Sequence, residues 1–314
     1  MFSSDTTLGI FLTSQCCIGV IGNSLIFLSS LYTFSVQHYL KKPIDSIFMH
    51  LTMVNILAIV FLLIPDIASS FGIRHFLSDA GCKAVLYIYR VTRGLSICTT
   101  SILSTFQAIT ISPSNSTWAW LKPKLSTWTP LFFIFSWLIN MLIYIEIIKS
   151  VIAKTNATLA GHGYYHAYCQ NRNFGKQNKG LFLSVILTRD LIFVALMLST
   201  SLYMVNFLYR HYKRAKQIHI RSLSSQSSPE TRATWIILLL VSCFVFFYWL
   251  SNFVTLYGFY TPEKIPRLEQ VNAILSSSYP TICPFLLMRN NKNILHFTSS
   301  LSVLRITHFQ RSNI

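Results

Sequence analysis

The residues of this sequence best placed to do chemistry are the ionisable side chains set inside otherwise apolar runs: Asp66, Arg90, Arg93, Glu146, Arg189 and Asp190. At the centre of a membrane helix each costs roughly 2.5–3.5 kcal/mol, so such groups turn toward a protein interior or a wet cavity. Arg90 and Arg93 stand three residues apart and therefore share a helix face. Two roles fit this pair. It can offer a fork of donors to the carboxylate or sulfate of a bound molecule. It can equally be tied structurally to Glu146, Asp66 or Asp190, or snorkel toward the membrane interface. Arg189 and Asp190 are a second candidate pair, and the aromatic run Phe246, Phe247, Tyr248 and Trp249 offers pocket-lining side chains, although at helical spacing these cannot all point the same way.

Catalytic chemistry finds no foothold. No zinc-protease, nucleophile-elbow, phosphate-loop or paired-cysteine metal motif occurs. The nine histidines, such as His162, His166, His211 and His219, read as scattered in loops. A zinc site from His162, His166 and Cys169 would compete with the disulfide expected below. No lysine lies between Lys264 and Lys292, which removes a retinal Schiff base in a last helix. The sequence is expected to need no cofactor or metal and to encode no enzyme.

What must position these residues follows from composition. Of 314 residues, 52% are apolar and only 11% charged, with a mean hydropathy of +0.49. An ordinary soluble domain carries about 25% charged residues, so charges this sparse cannot coat a soluble surface. Seven apolar stretches lack Asp, Glu, Lys and Arg altogether: 6–40, 46–65, 94–121, 125–145, 191–209, 233–262 and 270–288. A bilayer span needs about 20 such residues. The pattern predicts an all-α membrane protein, a single seven-transmembrane helix bundle over 1–314, because these runs lack the alternation of a barrel. Helices are expected near 8–32, 46–70, 82–111, 129–149, 182–209, 233–258 and 268–288, followed by a short cytoplasmic tail, 289–314. Ile294, Phe297, Leu301 and Leu304 in that tail have the spacing of an interfacial helix.

Basic residues set the orientation. None precedes the first span, Lys41 and Lys42 follow it, and Arg210, Lys213, Arg214, Lys216, Arg221 and Arg232 crowd the connection between spans five and six. By the positive-inside bias the N-terminus is outside and the C-terminus inside. The first span itself is expected to direct insertion into the membrane. The net charge of +17 does not indicate nucleic acid, because it is divided between two sides of a membrane rather than gathered on one face. It suits lipid headgroups and a cytoplasmic partner instead. Cys82 and Cys169 fall on the outer, oxidising side and are expected to pair. Cys16, Cys17, Cys98, Cys243 and Cys283 lie at span depth as small apolar residues. Asn156 opens a glycosylation triplet in the second outer loop, whereas the Asn115 triplet lies on the inner side.

Several strings then become specific. They include Arg93-Gly94-Leu95-Ser96-Ile97-Cys98-Thr99-Thr100 in the third helix, Arg189-Asp190 and Tyr203 in the fifth, Ser228-Pro229-Glu230 before the sixth, and Tyr279-Pro280-Thr281-Ile282-Cys283-Pro284 in the seventh. Together they resemble the vomeronasal type-1 receptors, a family of G-protein-coupled pheromone receptors, over essentially the whole chain. Likeness to the wider rhodopsin-like superfamily is partial. Gly22-Asn23 resembles its first-helix motif, Asn55 stands where an aspartate is usual, Trp137 resembles the fourth-helix tryptophan, and Phe106-Gln107-Ala108 replaces the acidic-arginine-tyrosine motif. A bitter-taste-like chemosensory receptor is the nearest alternative. A transporter fits less well, since seven spans form no equal repeats.

The resemblance implies a plasma-membrane receptor whose partners are a small pheromone-like ligand, a heterotrimeric G protein of the inhibitory type, and membrane lipid. Ligand contacts are then expected at Arg90, Arg93, Arg189, Asp190, Tyr248 and Trp249, beneath a lid held by Cys82–Cys169. G-protein contacts are expected at Phe106, Gln107, Arg210, Lys213, Arg214 and Lys216. A conformational switch is expected in helix 7 at Tyr279, Pro280 and Pro284, where the prolines remove backbone hydrogen bonds.

Overall fold

Apolar length dictates the architecture: in lipid every backbone group must be bonded within its own segment, so each long run closes into a helix. A computed structural model describes residues 4–36, 43–73, 77–113, 116–153, 169–171, 176–218, 229–260 and 266–289. Its helices are α1 (Ser4–Ser35), α2 (Pro43–Ser70), α3 (Asp79–Ile111), α4 (Lys122–Ser150), α5 (Lys176–Ile218), α6 (Pro229–Tyr260) and α7 (Pro266–Met288). All seven are long and apolar enough to cross a bilayer.

The helices outrun the apolar stretches that announce them. α5, expected over 182–209, extends to Ile218, and α4 starts at Lys122 rather than near 129. Apolarity marks only the part of a helix that sits in hydrocarbon. Beyond it, good helix formers such as Arg210, Lys213 and Lys216 continue the turn into the interface. Caps close some ends. Ser78 accepts a hydrogen bond from the Gly81 amide at the start of α3, with Asp79 in its first turn. Pro123 sits in the first turn of α4, where its missing N–H costs nothing.

A short antiparallel ribbon, absent from the expectations above, pairs β1 (Val151–Ala153) with β2 (Cys169–Asn171), Ala153 facing Cys169. Cys169 is bonded to Cys82 at the head of α3. Three residues are too few for a strand signal in the sequence. The ribbon follows from the covalent anchor beside it.

α3 is the central element. Its most apolar window is 83% buried, against 22% in α4 and α5. The largest apolar cluster joins Ile26, Leu51, Ile97, Leu103, Met197, Met204, Leu240 and Leu287 around it. Asn156 and the tail beyond Arg289 lie outside the described residues, as do the proposed interfacial helix and His162 and His166.

Candidate functional site

The half of the bundle nearest the disulfide holds a chain of polar and charged groups contributed by five helices. Arg93, on α3, donates from Nη1 to the Tyr89 hydroxyl at 3.1 Å and to Ser276 Oγ of α7 at 3.2 Å, and from Nη2 to Asn252 Oδ1 of α6 at 3.1 Å. Its guanidinium also lies 5.1 Å from the ring centre of Tyr248 on α6. Every one of these partners is uncharged. Ser276 is bonded in turn to Ser251 at 2.7 Å, and Ser251 to Asn272 at 2.9 Å. A pocket the size of about one water opens beside Arg93, lined by Leu62, Tyr89, Arg90, Glu269, Asn272 and Ala273.

Tyr248 links this group to the next one. Its hydroxyl donates to Asp190 Oδ2, while Asp190 Oδ1 accepts from Arg189 Nε at 2.8 Å and from Nη2 at 2.5 Å. Arg189 also donates to Asn140 Oδ1 at 2.6 Å and to the Tyr144 hydroxyl at 2.9 Å, both on α4. Each guanidinium nitrogen thus has a partner, and the group is buried. The approach is possible because position 94 has no side chain. A Cβ there would strike Asn140 Oδ1 and come within 2.7 Å of Arg189 Nη1.

The structure therefore brings together Arg93, Arg189, Asp190 and Tyr248, with Arg90 at the rim. It does not bring Trp249, whose side chain is 57% exposed on the lipid-facing side of α6. Consecutive residues on a helix differ by about 100°, so Tyr248 inside requires Trp249 to turn away. Trp249→Leu is accordingly expected to shift stability by no more than about 0.5 kcal/mol, as read by thermal unfolding of the purified protein. Glu146 is not the counter-ion of the arginine pair. It lies 3.6 Å from Lys149 on the exposed end of α4, and Asp66 lies near Glu269.

At the opposite end, Phe106 and Gln107 are buried, so in this conformation neither presents a contact surface. Gln107 Nε2 instead donates to Thr234 Oγ1 at 3.1 Å and ties α3 to α6. Arg210 and Lys213 are exposed on the extension of α5, and Arg214 and Lys216 continue the same helix, their side chains outside the described residues.

In α7, Pro284 has no N–H for the carbonyl four residues earlier, which belongs to Pro280. Asn23 Nδ2 on α1 donates to that carbonyl at 2.8 Å. Asn55 and Ser96 extend the chain across α2 to α3, through Asn23 Oδ1 at 3.4 Å and Asn55 Oδ1 at 3.3 Å. Tyr279 shares a hydrogen bond with Thr100 at 3.0 Å.

The reading that histidines are confined to loops is corrected by His211, which lies in α5, and by His50. The latter lies inside α2, stacked on Phe133. The Trp137 indole can only donate, so it fixes His50 Nε2 as an acceptor at 3.0 Å and leaves Nδ1–H to donate to Thr99. Asn140, Tyr144, Asn252 and Ser276 were also absent from the site read in the sequence. The signal was present: an uncharged polar side chain in an apolar span also needs a partner.

Among known proteins, the family described as "Vomeronasal organ pheromone receptor family" matches residues 6–300. Vomeronasal type-1 receptor 4 of Homo sapiens is 35% identical over 297 residues, covering 95% of this chain and 98% of that protein. Vomeronasal type-1 receptor 3 of Homo sapiens is 33% identical over 298 residues, covering 94% of each. The crystal structure of squid rhodopsin shares the fold, with a TM-score of 0.71 at 17% identity over 96% of this chain and 82% of that one.

Proposed function

Because this chain belongs to the vomeronasal organ pheromone receptor family, and so is a multi-pass plasma-membrane receptor rather than an enzyme, we propose that it detects a small extracellular chemosignal at Arg93 and relays it to a heterotrimeric G protein of the inhibitory type. In this reading the N-terminus and the disulfide face outside and the basic extension of α5 faces the cytoplasm, as the positive-inside bias favours.

The observation that carries the reading is that every direct partner of Arg93, by hydrogen bond or ring contact, is uncharged. One cation is held by single hydrogen bonds to α6 and α7 and by a ring contact with α6. A ligand group that accepts from Arg93 replaces Asn252 and Ser276, and so alters the positions of the two helices those residues belong to. Such a ligand favours the rearranged state only by the difference in its affinity for the two states. At the cytoplasmic end the Gln107–Thr234 bond would be the contact that yields when α6 leaves α3, opening a surface beside the exposed Arg210 and Lys213 for the G protein. In the same reading, release of Asn23 from the carbonyl of Pro280 would free α7 to bend at its prolines.

A cell-based G-protein dissociation assay tests this against small volatiles and steroid derivatives, with surface display measured in parallel. Arg93→Gln is expected to reach the surface and to lower potency by about 10-fold or more, the worth of hydrogen bonds to a charged group. A variant with full potency would remove Arg93 from the ligand site.

A further inference from the structure

The end of the bundle opposite the disulfide carries a feature that the receptor reading does not use. Trp118, Trp120 and Trp128, three of the six tryptophans, are all exposed around the start of α4. Between two of them stands Lys124, its ammonium 5.0 Å from the ring centre of Trp120 and 5.9 Å from that of Trp128. No salt bridge to Lys124 exists among the described residues, and no Asp or Glu occurs between Asp79 and Glu146. The neighbouring Lys122 is engaged differently: it donates to the carbonyl of Ser112 and ties the end of α3 to α4.

The direction in which Lys124 points decides what it meets. Lys124, Trp128, Leu131, Phe135, Leu138 and Leu142 follow one another at alternating steps of four and three, and all are exposed. They form one stripe along the lipid-facing side of α4, away from the bundle axis where a cytoplasmic protein would dock between α3, α5 and α6. From Lys124 to Leu142 the helix rises about 27 Å at about 1.5 Å per residue, close to the roughly 30 Å of a hydrocarbon core. The stripe below Lys124 thus fills one membrane thickness, and the ammonium stands at headgroup level. The indole faces already hold a cation, which leaves no aromatic cage for a choline. Lys124 and the indole N–H groups can donate to a phosphate.

We propose that Trp120, Lys124 and Trp128 bind the headgroup of an anionic phospholipid, with the lysine on its phosphate and the acyl chains lying along Leu131, Phe135 and Leu138. The assignment does not depend on the ligand or on G-protein coupling.

The full-length receptor, purified in detergent with added phosphatidylserine or phosphatidylcholine of matched acyl chains, is read by native mass spectrometry for retained lipid. Wild type is expected to retain phosphatidylserine in preference to phosphatidylcholine. Lys124→Ala is expected to lose that preference by about fivefold, the effect of one lysine near an anionic surface. Lys124→Arg should keep it, and Trp128→Leu should weaken it. Lys213→Ala, a loss of equal charge elsewhere at this end, should leave it unchanged. All of these side chains are exposed, so the variants are expected to fold. Equal retention of the two lipids by wild type, or an unchanged preference in Lys124→Ala, overturns the proposal. If Lys124→Ala keeps its lipid preference and instead loses G-protein coupling, the surface docks protein and the lipid assignment fails.

Discussion

Asp190→Asn is expected to cost about 3–5 kcal/mol of stability, the penalty of removing one partner from a buried ion pair, and with it most of the receptor displayed at the cell surface. Asp190 is the only carboxylate bonded to Arg189 among the described residues, and it receives Tyr248 on its second oxygen. The amide keeps the shape and loses the charge, so a buried guanidinium is left with neutral partners only. The effect should be specific to breaking the pair. Replacing both members, as Arg189→Met with Asp190→Leu, removes the uncompensated charge and should recover a large part of the loss, since apolar replacements of buried pairs are often neutral. Surface display and thermal unfolding of the purified variants measure both. A stable Asp190→Asn protein would show that water reaches Arg189.

Gly94→Ala is expected to be nearly as damaging, although it adds only a methyl group. That group would occupy the space of the Asn140 amide oxygen and crowd Arg189. Overpacking costs about 1–3 kcal/mol, and a displaced hydrogen bond to a charged group adds about 1.5–3 kcal/mol. The two sites are coupled, so their effects should not add. Asn140→Ala removes the nearer of the two obstacles, and the Gly94→Ala, Asn140→Ala double variant should be more stable than the two separate losses predict. A Gly94→Ala receptor at wild-type level, by ligand-free thermal unfolding, would mean that α4 and α5 move back from α3 at little cost.

These two residues also show how far the sequence reaches. Arg189 and Asp190 stand out on inspection, because ionisable groups inside an apolar run are expensive and must be explained. That they pair with each other follows less easily, since neighbours on a helix do not face one another. Their pairing depends on Asn140, Tyr144 and Tyr248 closing around them from α4 and α6. Gly94 was legible as part of a family-like string. Its reason, the close approach of two side chains from other helices, was not.

The number of spans, the class of protein and the membrane-bound state were determined by the sequence alone, because a bilayer imposes length and apolarity on each helix separately. The positions of Cys82 and Cys169 fell in the same category, the pairing being present in the structure. Rotation of each helix about its own axis was decided only by tertiary packing. In water a helix displays its buried face through the contrast of apolar and polar sides. In lipid both faces are apolar, and that contrast disappears. Nothing local distinguishes Tyr248, turned into the bundle, from Trp249, turned into lipid. Those assignments exist only once α3 has been surrounded.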